Sequence, residues 1–225
     1  MIRLLDMYCG AGGCSMGYYM AALDLKLEIE IIGVDRKPQP NYPFTFVQAD
    51  ALEYFQENMS KFTHVHASPP CQKFTPSTHY LRARGQHYDD YLEETRALIE
   101  LSKLPGVIEN VPASPVRPDI MLRGDMFGLK VLRKRHFELI NWFMMNPSMP
   151  KKQGSAWNGD YVTIYGKGGY KKSGKRPKKL PHFQKRTILE TWKYAMGIWW
   201  MKKDTELSQA IPPAYTRYIG NQFFR

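Results

Sequence analysis

The fold is decided near the N-terminus, where residues 2–15 read IRLLDMYCGAGGCS. The first seven of these residues predict a strand, residues 9–14 form a glycine-rich turn, and Ser15 is the predicted N-cap of a helix. The apolar residues of that helix have the i, i+3, i+4, i+7 spacing of a single face: Met16, Tyr19, Met20 and Leu23. A strand, a glycine turn and a helix in this order are typical of a nucleotide-type pocket at the edge of a parallel sheet.

The glycine spacing argues against several common ligands of such a pocket. Counted from Gly10, the dinucleotide fingerprint G-x-G-x-x-G needs a third glycine where the chain has Ser15. This mismatch argues against NAD or FAD. No Gly-Lys-Ser/Thr sequence follows the turn, which argues against ATP.

The rest of the chain alternates predicted strands and helices, so we expect an α/β fold with a doubly wound, Rossmann-like sheet. Further strands are predicted at residues 29–35, 44–47, 63–67, 107–108 and 133–137, and further helices at 51–59, 89–104 and from 211 onward. Residues 73–88 have no periodicity and are long for a connector, which indicates a functional lid or a disordered segment.

Two strands end in residues that can carry chemistry. Asp35 ends the second strand, where a carboxylate commonly takes the ribose hydroxyls of a nucleotide; the alternative is an ordinary turn aspartate. Residues 64–72, HVHASPPCQ, form a strand that two prolines stop, and Cys71 follows. Reactive groups of open α/β sheets lie at such strand ends. The alternative is a half-buried thiol in a proline-rich turn. The fifth strand brings Glu109 to the same edge.

The net charge of +11 is concentrated in one segment. Residues 151–186 hold eleven of the 32 Lys and Arg but one of the 21 acidic residues, so the rest of the chain is close to neutral. A localised basic block predicts a polyanionic partner; for residues 171–179 the alternative is a solvated charge run. We expect a main domain at 1–140, a small basic lobe at 141–186, and a segment at 187–225 that returns to the main domain.

Bulk features exclude other classes of protein. No run reaches the roughly 18 apolar residues that a membrane span needs, and the N-terminus lacks a signal-peptide pattern. Three cysteines, a low and odd number, argue against a disulfide framework and favour a cytoplasmic protein. The cysteines have no partners at zinc spacing, so no metal site is predicted.

Five short motifs follow one another in an order that carries a resemblance. They are 6–13 (DMYCGAGG), 68–72 (SPPCQ), 109–111 (ENV), the pair Arg133 and Arg135, and 220–221 (GN). In this order and spacing the chain resembles the DNA (cytosine-5) methyltransferases, and among them the compact phage-type enzymes. The resemblance implies a Rossmann-like methyltransferase fold with a small basic target-recognition lobe. For a phage-encoded enzyme, the compartment is the host cytoplasm.

The resemblance implies a catalytic set. Cys71 would add its thiolate to C6 of a cytosine, which turns the poorly nucleophilic C5 into an enamine-like carbon. Glu109 would hydrogen-bond or protonate N3. Arg133 and Arg135 would hold the base edge and the cysteine loop. The family often has Gln two residues before the first of these arginines, where this chain has Val131.

The resemblance also implies S-adenosylmethionine as the cofactor. Its pocket would be formed by Asp6, Tyr8, Gly10, Gly12, Gly13, Asp35, Asp50, Pro70 and Asn221. Tyr8 would stack on the adenine, and Asp50 would accept from the adenine amine. Asp35 would take the ribose, although the family often has Glu there. Asn221 would close the pocket.

Double-stranded DNA is the implied partner of a monomeric enzyme, with the target base flipped out of the stack under the lid. The nucleic-acid contacts are expected from Gln72, Lys167, Lys171, Lys172, Lys175 and Arg176. The basic residues would mainly touch phosphates. Two alternatives stay open: the same chemistry on RNA, and a non-catalytic nucleic-acid-binding module. A zinc deaminase is excluded, because Phe74 and His66 stand where its signature needs Cys and Glu.

Overall fold

The computed structural model describes residues 1–74, 83–151, 153–156, 158–164 and 187–225 of the 225-residue chain. Within these residues, seven strands form one mixed sheet in the order β3-β2-β1-β4-β5-β7-β6. The strands are β1 (Ile2–Met7), β2 (Ile29–Asp35), β3 (Thr45–Gln48), β4 (His64–Ala67), β5 (Gly106–Asn110), β6 (Ile120–Leu122) and β7 (Arg135–Ile140). The expected α/β fold with a Rossmann-like sheet is confirmed.

Helices lie in most of the connections between the parallel strands. Strands β1 to β5 pair in parallel, whereas β7 lies antiparallel between β5 and β6. Parallel neighbours need crossover connections, which include α1 (Gly13–Leu25), α2 (Ala51–Asn58) and α3 (Leu92–Ser102). Near the C-terminus lie α4 (Ile188–Met196), α5 (Asp204–Gln209) and α6 (Pro213–Phe223). None of these described helices is long and apolar enough to cross a membrane.

Neighbouring residues of strand β1 pack into two separate hydrophobic cores, one on each face of the sheet. Leu4 belongs to the core that α1 and α6 cover, whereas Leu5 belongs to the core that α2 and α3 cover. Both leucines are fully buried. Burial on both faces is typical of parallel strands and explains the nearly continuous apolar run of β1.

Helix α1 differs from its sequence prediction in its start and in its buried face. Its N-cap is Gly12, in the left-handed conformation with φ of 81°, so the prediction of Ser15 as the cap is wrong. The helix buries the small or slim residues of another face, together with one tyrosine: Gly13, Cys14, Ser15, Gly17, Tyr18, Ala21 and Ala22. Tyr19 and Leu23, on the predicted apolar face, are 37% and 58% exposed.

Close packing of α1 against α6 explains this difference. A Cβ atom added to Gly17 would overlap the hydroxyl of Thr216, and one added to Gly220 would lie 2.7 Å from the Cβ of Ala21. Helices that approach so closely must meet through small residues at the crossing, so the exposed Tyr19 and Leu23 lie outside this contact.

The antiparallel edge of the sheet also departs from the prediction. Strand β5 is longer than expected and includes Glu109, because β7 pairs with it on one side and β4 on the other. Strand β7 begins at Arg135, which leaves Arg133 in the irregular segment before it. Strand β6 was not predicted; its three residues pair with β7.

Candidate active site

The strand order reverses between β1 and β4, which marks the topological switch point where ligands of open α/β sheets bind. Beyond the carboxyl ends of the strands, the described residues line a cavity of about 610 Å³, which we call the active-site cavity. Its walls include most of the described residues singled out from the sequence: Asp6, Tyr8, Gly10, Gly13, Asp35, Pro70, Cys71, Gln72, Glu109, Arg133 and Arg135. The predicted base-binding and donor-binding sets thus share one cavity.

Cys71 lies on a backbone that is held on both sides. The side-chain amide of Asn110 donates to the carbonyl of Pro69 at 3.1 Å. The carbonyl of Cys71 accepts from the amide of Phe74 at 3.0 Å, which closes a turn. Cys71 itself is half-buried and faces the cavity. A thiol on a fixed backbone at the wall of a cavity suits a nucleophile.

Glu109 is a buried carboxyl beside a guanidinium. It is 6% exposed, and Nε of Arg135 lies 3.0 Å from its Oε1. This contact is an ion pair outside hydrogen-bond geometry, because Oε1 has no hydrogen-bond partner among the described residues. Burial raises the pKa of Glu109, and the charges of Arg135 and Arg133 oppose that rise. The site therefore favours the protonated carboxyl more than water does.

Arg133 has a strained backbone conformation in the irregular segment before β7. Its φ of 35° is unusual for a residue with a Cβ. The Nη2 of Arg133 donates to the carbonyl of Ser208 at 2.7 Å, and the carbonyl of Arg133 accepts from the hydroxyl of Tyr215 at 2.9 Å. Burial lowers the pKa of Arg133 to about 9, so the group stays charged at neutral pH. Its buried Nε has no partner among the described residues and can donate to a ligand.

Asp6 is a deeply buried carboxyl at the donor end of the cavity. It is fully buried; its Oδ2 accepts from the hydroxyl of Ser15, whereas Oδ1 has no partner among the described residues. Burial raises the pKa of Asp6 to about 7. A Cβ atom added to Gly10 would meet nothing within 4 Å, so the backbone there is open. An unused buried acceptor beside an open glycine fits the ammonium end of S-adenosylmethionine.

Asp35 braces the glycine turn and also lines the cavity. Its Oδ2 accepts from the backbone amide of Gly10 at 3.1 Å, and its Oδ1 accepts from the amide of Lys37 at 2.9 Å. The carboxylate thus links the end of β2 to the turn after β1. It faces the cavity, as its predicted contact with a ribose requires.

Asp50 has structural partners of its own. Its Oδ1 caps α2 through the amides of Leu52 and Glu53, and its Oδ2 accepts from Arg36. Arg36 also donates to the hydroxyl of Tyr91 at 2.9 Å, and its guanidinium carbon lies 5.2 Å from the centre of that ring. Arg36 rather than Asp50 lines the cavity at this point. The adenine contact of Asp50 stays a prediction. It requires the side chain of Arg36 to move away from the Asp50 carboxylate.

Two predicted donor residues lie away from the cavity walls. A Cβ atom added to Gly12 would lie 2.7 Å from Cδ of Pro43, so this glycine serves close packing. The amide of Asn221 lies 3.5 Å from Asp24, on the outer side of the α1–α6 contact. Residues 208–211 line the donor end instead.

Several cavity residues carry no local signal that sequence reasoning could use. Residues 208–211 precede α6, and a Cβ atom added to Gly13 would overlap the carbonyl of Ile211. Tyr91 and Arg36 meet across 55 positions of sequence. The position of Arg36 directly after Asp35 is the one clue that the sequence offered.

Most of the predicted nucleic-acid contacts lie outside the described residues. These are Lys167, Lys171, Lys172, Lys175 and Arg176, together with residues 75–82 of the predicted lid. Gln72 is described and lines the cavity next to Cys71.

Comparison with solved structures shows what the fold of this chain is similar to. A methyltransferase of Entamoeba histolytica, EhMeth, superposes with a TM-score of 0.63 over 100% of this chain and 98% of that chain, at 13% sequence identity. The two proteins share a fold. The C-terminal domain of the coenzyme A biosynthesis protein CoaBC gives a TM-score of 0.25 over 48% of this chain and 72% of that chain, at 12% identity, which supports no structural argument. No protein-family model and no curated protein matches the chain.

Proposed function

We propose that the protein is a DNA cytosine-C5 methyltransferase. It would transfer a methyl group from S-adenosylmethionine to C5 of a flipped cytosine, through a covalent bond between Cys71 and C6. The observation that carries the proposal is one cavity lined both by a cysteine at the end of β4 and by a buried carboxyl on β5. The order of the sequence motifs and the fold shared with EhMeth support it.

In this proposal Cys71 and Glu109 act on opposite sides of the pyrimidine ring. The sulfur anion adds to C6, the π electrons move toward N3, and N3 takes the proton of the Glu109 carboxyl. Burial raises the pKa of Glu109, so more of this group is protonated at neutral pH than of an exposed glutamate. Proton donation of this kind contributes about 10²–10⁴-fold to a rate. After methylation a base takes the proton from C5, the sulfur leaves with its bonding electron pair as the C5–C6 double bond re-forms, and N3 returns its proton to the Glu109 carboxylate.

The arginines would hold charge and orientation. Arg135 pairs with Glu109 and fixes the direction of the carboxyl. Arg133 is near enough to Cys71 for their charges to interact, so its guanidinium would stabilise the sulfur anion. The unused Nε of Arg133 can donate to the carbonyl oxygen of the cytosine.

At the donor end, S-adenosylmethionine when bound supplies an electrophilic methyl group. Asp6 would accept from its ammonium group, and the open backbone at Gly10 admits its amino-acid part. Asp35 would take the ribose, and the ring of Tyr8 would cover the adenine. The four residues line the same cavity as Cys71, which supports transfer over a short distance.

Duplex DNA is the proposed substrate, bound by a monomer. A cytosine in a stacked duplex must leave the stack before a thiol reaches C6, at a cost of a few kcal/mol. The basic segment at 151–186, which carries most of the net charge of +11, supports a polyanionic partner.

The direct test is transfer from labelled S-adenosylmethionine to duplex DNA of mixed sequence, followed by nucleoside analysis for 5-methylcytosine. We expect label in the DNA, and a tRNA competitor should leave it unchanged. Label that moves to the tRNA would favour the RNA alternative. Absence of label from both acids would contradict methyl transfer to cytosine.

A trapping experiment tests the nucleophile. DNA that contains 5-fluorocytosine should accumulate a denaturation-resistant adduct, because fluorine cannot leave C5 as a proton does. Cys71→Ser should lose both the adduct and the turnover while DNA binding persists. The matched control is Cys14→Ser, a cysteine that lines the same cavity and should keep the adduct. The opposite outcome would assign the nucleophile to Cys14.

A further inference from the structure

A chain of three hydrogen-bonding side chains runs from α1 to the active-site cavity. The hydroxyl of Tyr18 lies 3.0 Å from Nδ1 of His66, and Nε2 of the same ring lies 3.0 Å from the hydroxyl of Ser68. Tyr18 and His66 are both fully buried. Ser68, at the outer end of the chain, lines the cavity.

The strand register places Ser68 beside Glu109. Strand β4 pairs with β5 so that Ala67 lies opposite Ile108, and the next residues along the two strands are Ser68 and Glu109. The amide of Ser68 continues the strand by donating to the carbonyl of Met7 at 3.1 Å. Its hydroxyl also lies 3.9 Å from the sulfur of Cys14.

The direction of the protons in this chain follows from burial. Burial lowers the pKa of His66 to about 3, so the ring is neutral at pH 7 and carries one N–H. Tyr18 is buried, and His66 is its hydrogen-bond partner among the described residues. If the phenol did not donate to Nδ1, a buried O–H would be left unsatisfied, which costs about 1–3 kcal/mol. Nδ1 therefore accepts, and the proton of the ring lies on Nε2.

With the proton on Nε2, His66 donates to the oxygen of Ser68. The hydroxyl proton of Ser68 cannot point back at His66, so it points to an acceptor on the cavity side. Glu109 is the acceptor that we assign, because the strand register puts it opposite Ser68 and the interaction with Ser68 is among those that lower the pKa of its carboxyl.

We propose that Ser68, oriented by His66 and Tyr18, is a positioning residue that fixes the direction of the Glu109 carboxyl. This inference deepens the proposed function and depends on it for its catalytic meaning. The hydrogen-bonding arrangement itself does not depend on any activity. Neither His66 nor Ser68 belongs to the sequence-predicted catalytic set.

Other charged or titratable groups also face Glu109, and any change in its titration must be judged against them. They are Arg135 on β7, Arg133 in the segment before β7, Asp6 on β1, Cys14 on α1 and Tyr215 on α6. Substitutions at Ser68 leave all five in place, so a changed titration in such a variant reports the serine hydroxyl.

The first test is the tautomer of His66 in the wild-type protein at pH 7. Histidine labelled with ¹⁵N is observed through long-range proton–nitrogen correlations, and His66 is assigned among the six histidines by the loss of its signals in His66→Gln. We expect a protonated Nε2 and an unprotonated Nδ1. The Tyr18→Phe variant should convert this single form into a mixture. A wild-type ring protonated at Nδ1 would overturn the proposal.

The second test follows the carboxyl of Glu109 by ¹³C NMR in Ser68→Ala, Ser68→Thr and the wild-type protein. Loss of a donor to the carboxylate should raise the pKa of Glu109 in Ser68→Ala, whereas Ser68→Thr keeps the hydroxyl and should restore the wild-type titration. Turnover should fall about tenfold in Ser68→Ala, and the alkaline limb of its pH profile should move to higher pH.

The outcomes separate this inference from the proposed function. An unchanged Glu109 titration in a folded Ser68→Ala protein overturns the inference even if the wild type methylates DNA. A shifted titration in a protein that transfers no methyl group keeps the hydrogen-bond chain and rejects the enzyme. If Ser68→Ala does not fold, the wild-type tautomer and the pH profile of Ser68→Thr still decide.

Discussion

The two ends of the active-site cavity differ in whether their buried polar atoms have hydrogen-bond partners. At the base end, Oε1 of Glu109 and Nε of Arg133 are buried without hydrogen-bond partners among the described residues. At the outer donor end, each carboxylate oxygen of Asp35 and Asp50 already accepts from an N–H group of the protein. At the base end, the polar groups are already removed from water before a ligand binds. At the outer donor end, the carboxylates have protein partners, which a ligand would have to replace.

This difference indicates which end contributes to catalysis and which contributes to the stability of the fold. Groups that are buried, oriented and unsatisfied can bind a developing charge without reorganising, which is the usual origin of large catalytic effects. Groups that cap helices or brace turns contribute to stability first. Asp6 is intermediate, because one oxygen is bonded and the other is not. Substitutions at the base end should therefore change the rate of methyl transfer, and those at the outer donor end should change the free energy of unfolding.

The largest expected effect is on rate, at Glu109. Glu109→Gln keeps the shape of the side chain but removes the proton that N3 takes, so turnover should fall about 10²–10⁴-fold with DNA binding retained. Single-turnover methylation measures this loss. Glu53→Gln, on the exposed side of α2, is the matched control and should be neutral. Loss of less than tenfold in Glu109→Gln would remove the acid from the mechanism.

The second effect is a pH dependence of stability that comes from Asp6. Its pKa is about 7 in the folded protein against 3.8 when exposed, so the folded state keeps a proton that the unfolded state releases. The contribution of Asp6 to stability is therefore complete below pH 3.8 and is lost as the pH rises to about 7. The total is about 4 kcal/mol.

Urea unfolding of the wild type and of Asp6→Asn between pH 4 and 8 isolates this effect, because all other groups are common to both proteins. We expect the wild type to lose stability relative to the variant as the pH rises. Parallel curves for the two proteins would show that Asp6 titrates normally and is hydrated.

A smaller effect is expected at the glycine turn. Gly13→Ala would drive a methyl group into the carbonyl of Ile211, so it should lower the free energy of unfolding by about 1–3 kcal/mol and displace residues 208–211 from the donor end. Gly10→Ala has open space around its new methyl group and a strained φ of 49°, at a cost of about 1 kcal/mol. Thermal unfolding compares the two. A larger loss in Gly10→Ala would contradict the packing argument.

The smallest effect is expected at Asp50. Asp50→Ala removes the cap of α2 and should cost about 1 kcal/mol. Asp50→Ser keeps a capping oxygen and loses the exposed pair with Arg36, so it should stay within about 0.5 kcal/mol of the wild type. Equal losses in the two variants, measured by urea unfolding, would mean that the Arg36 pair rather than the cap carries the stability.

Much of the site could be predicted because its residues lie at strand ends. Cys71 follows the prolines that stop β4, and Glu109 lies near the end of a strand that Pro105 precedes. Carboxyl ends of parallel strands share one edge of a sheet, so these local signals already imply proximity. The structure brings the two side chains into one cavity, and their catalytic roles stay predictions.

Contacts between distant elements could not be predicted in this way. The predicted role of Asn221 as a closing residue rested on its motif, but its position against Asp24 depends on how α6 docks on α1. The apolar spacing of α1 predicted the wrong face because Gly17 and Gly220 let that partner helix approach. Periodicity reports what a helix can bury, and packing decides which face it does bury.

The sequence by itself determined the α/β class, the position of the glycine turn, and the strand ends that carry Cys71 and Glu109, because these depend on local patterns of polarity and backbone conformation. The tertiary structure alone decided that Ser68 lies beside Glu109 and that His66 contacts the hydroxyl of Ser68. It also decided that Arg36 pairs with the carboxylate of Asp50 and that residues 208–211 line the donor end. The physical reason is that a buried polar group is satisfied by whichever partner the register and the docking of helices bring within 3 Å, and no local pattern encodes that partner.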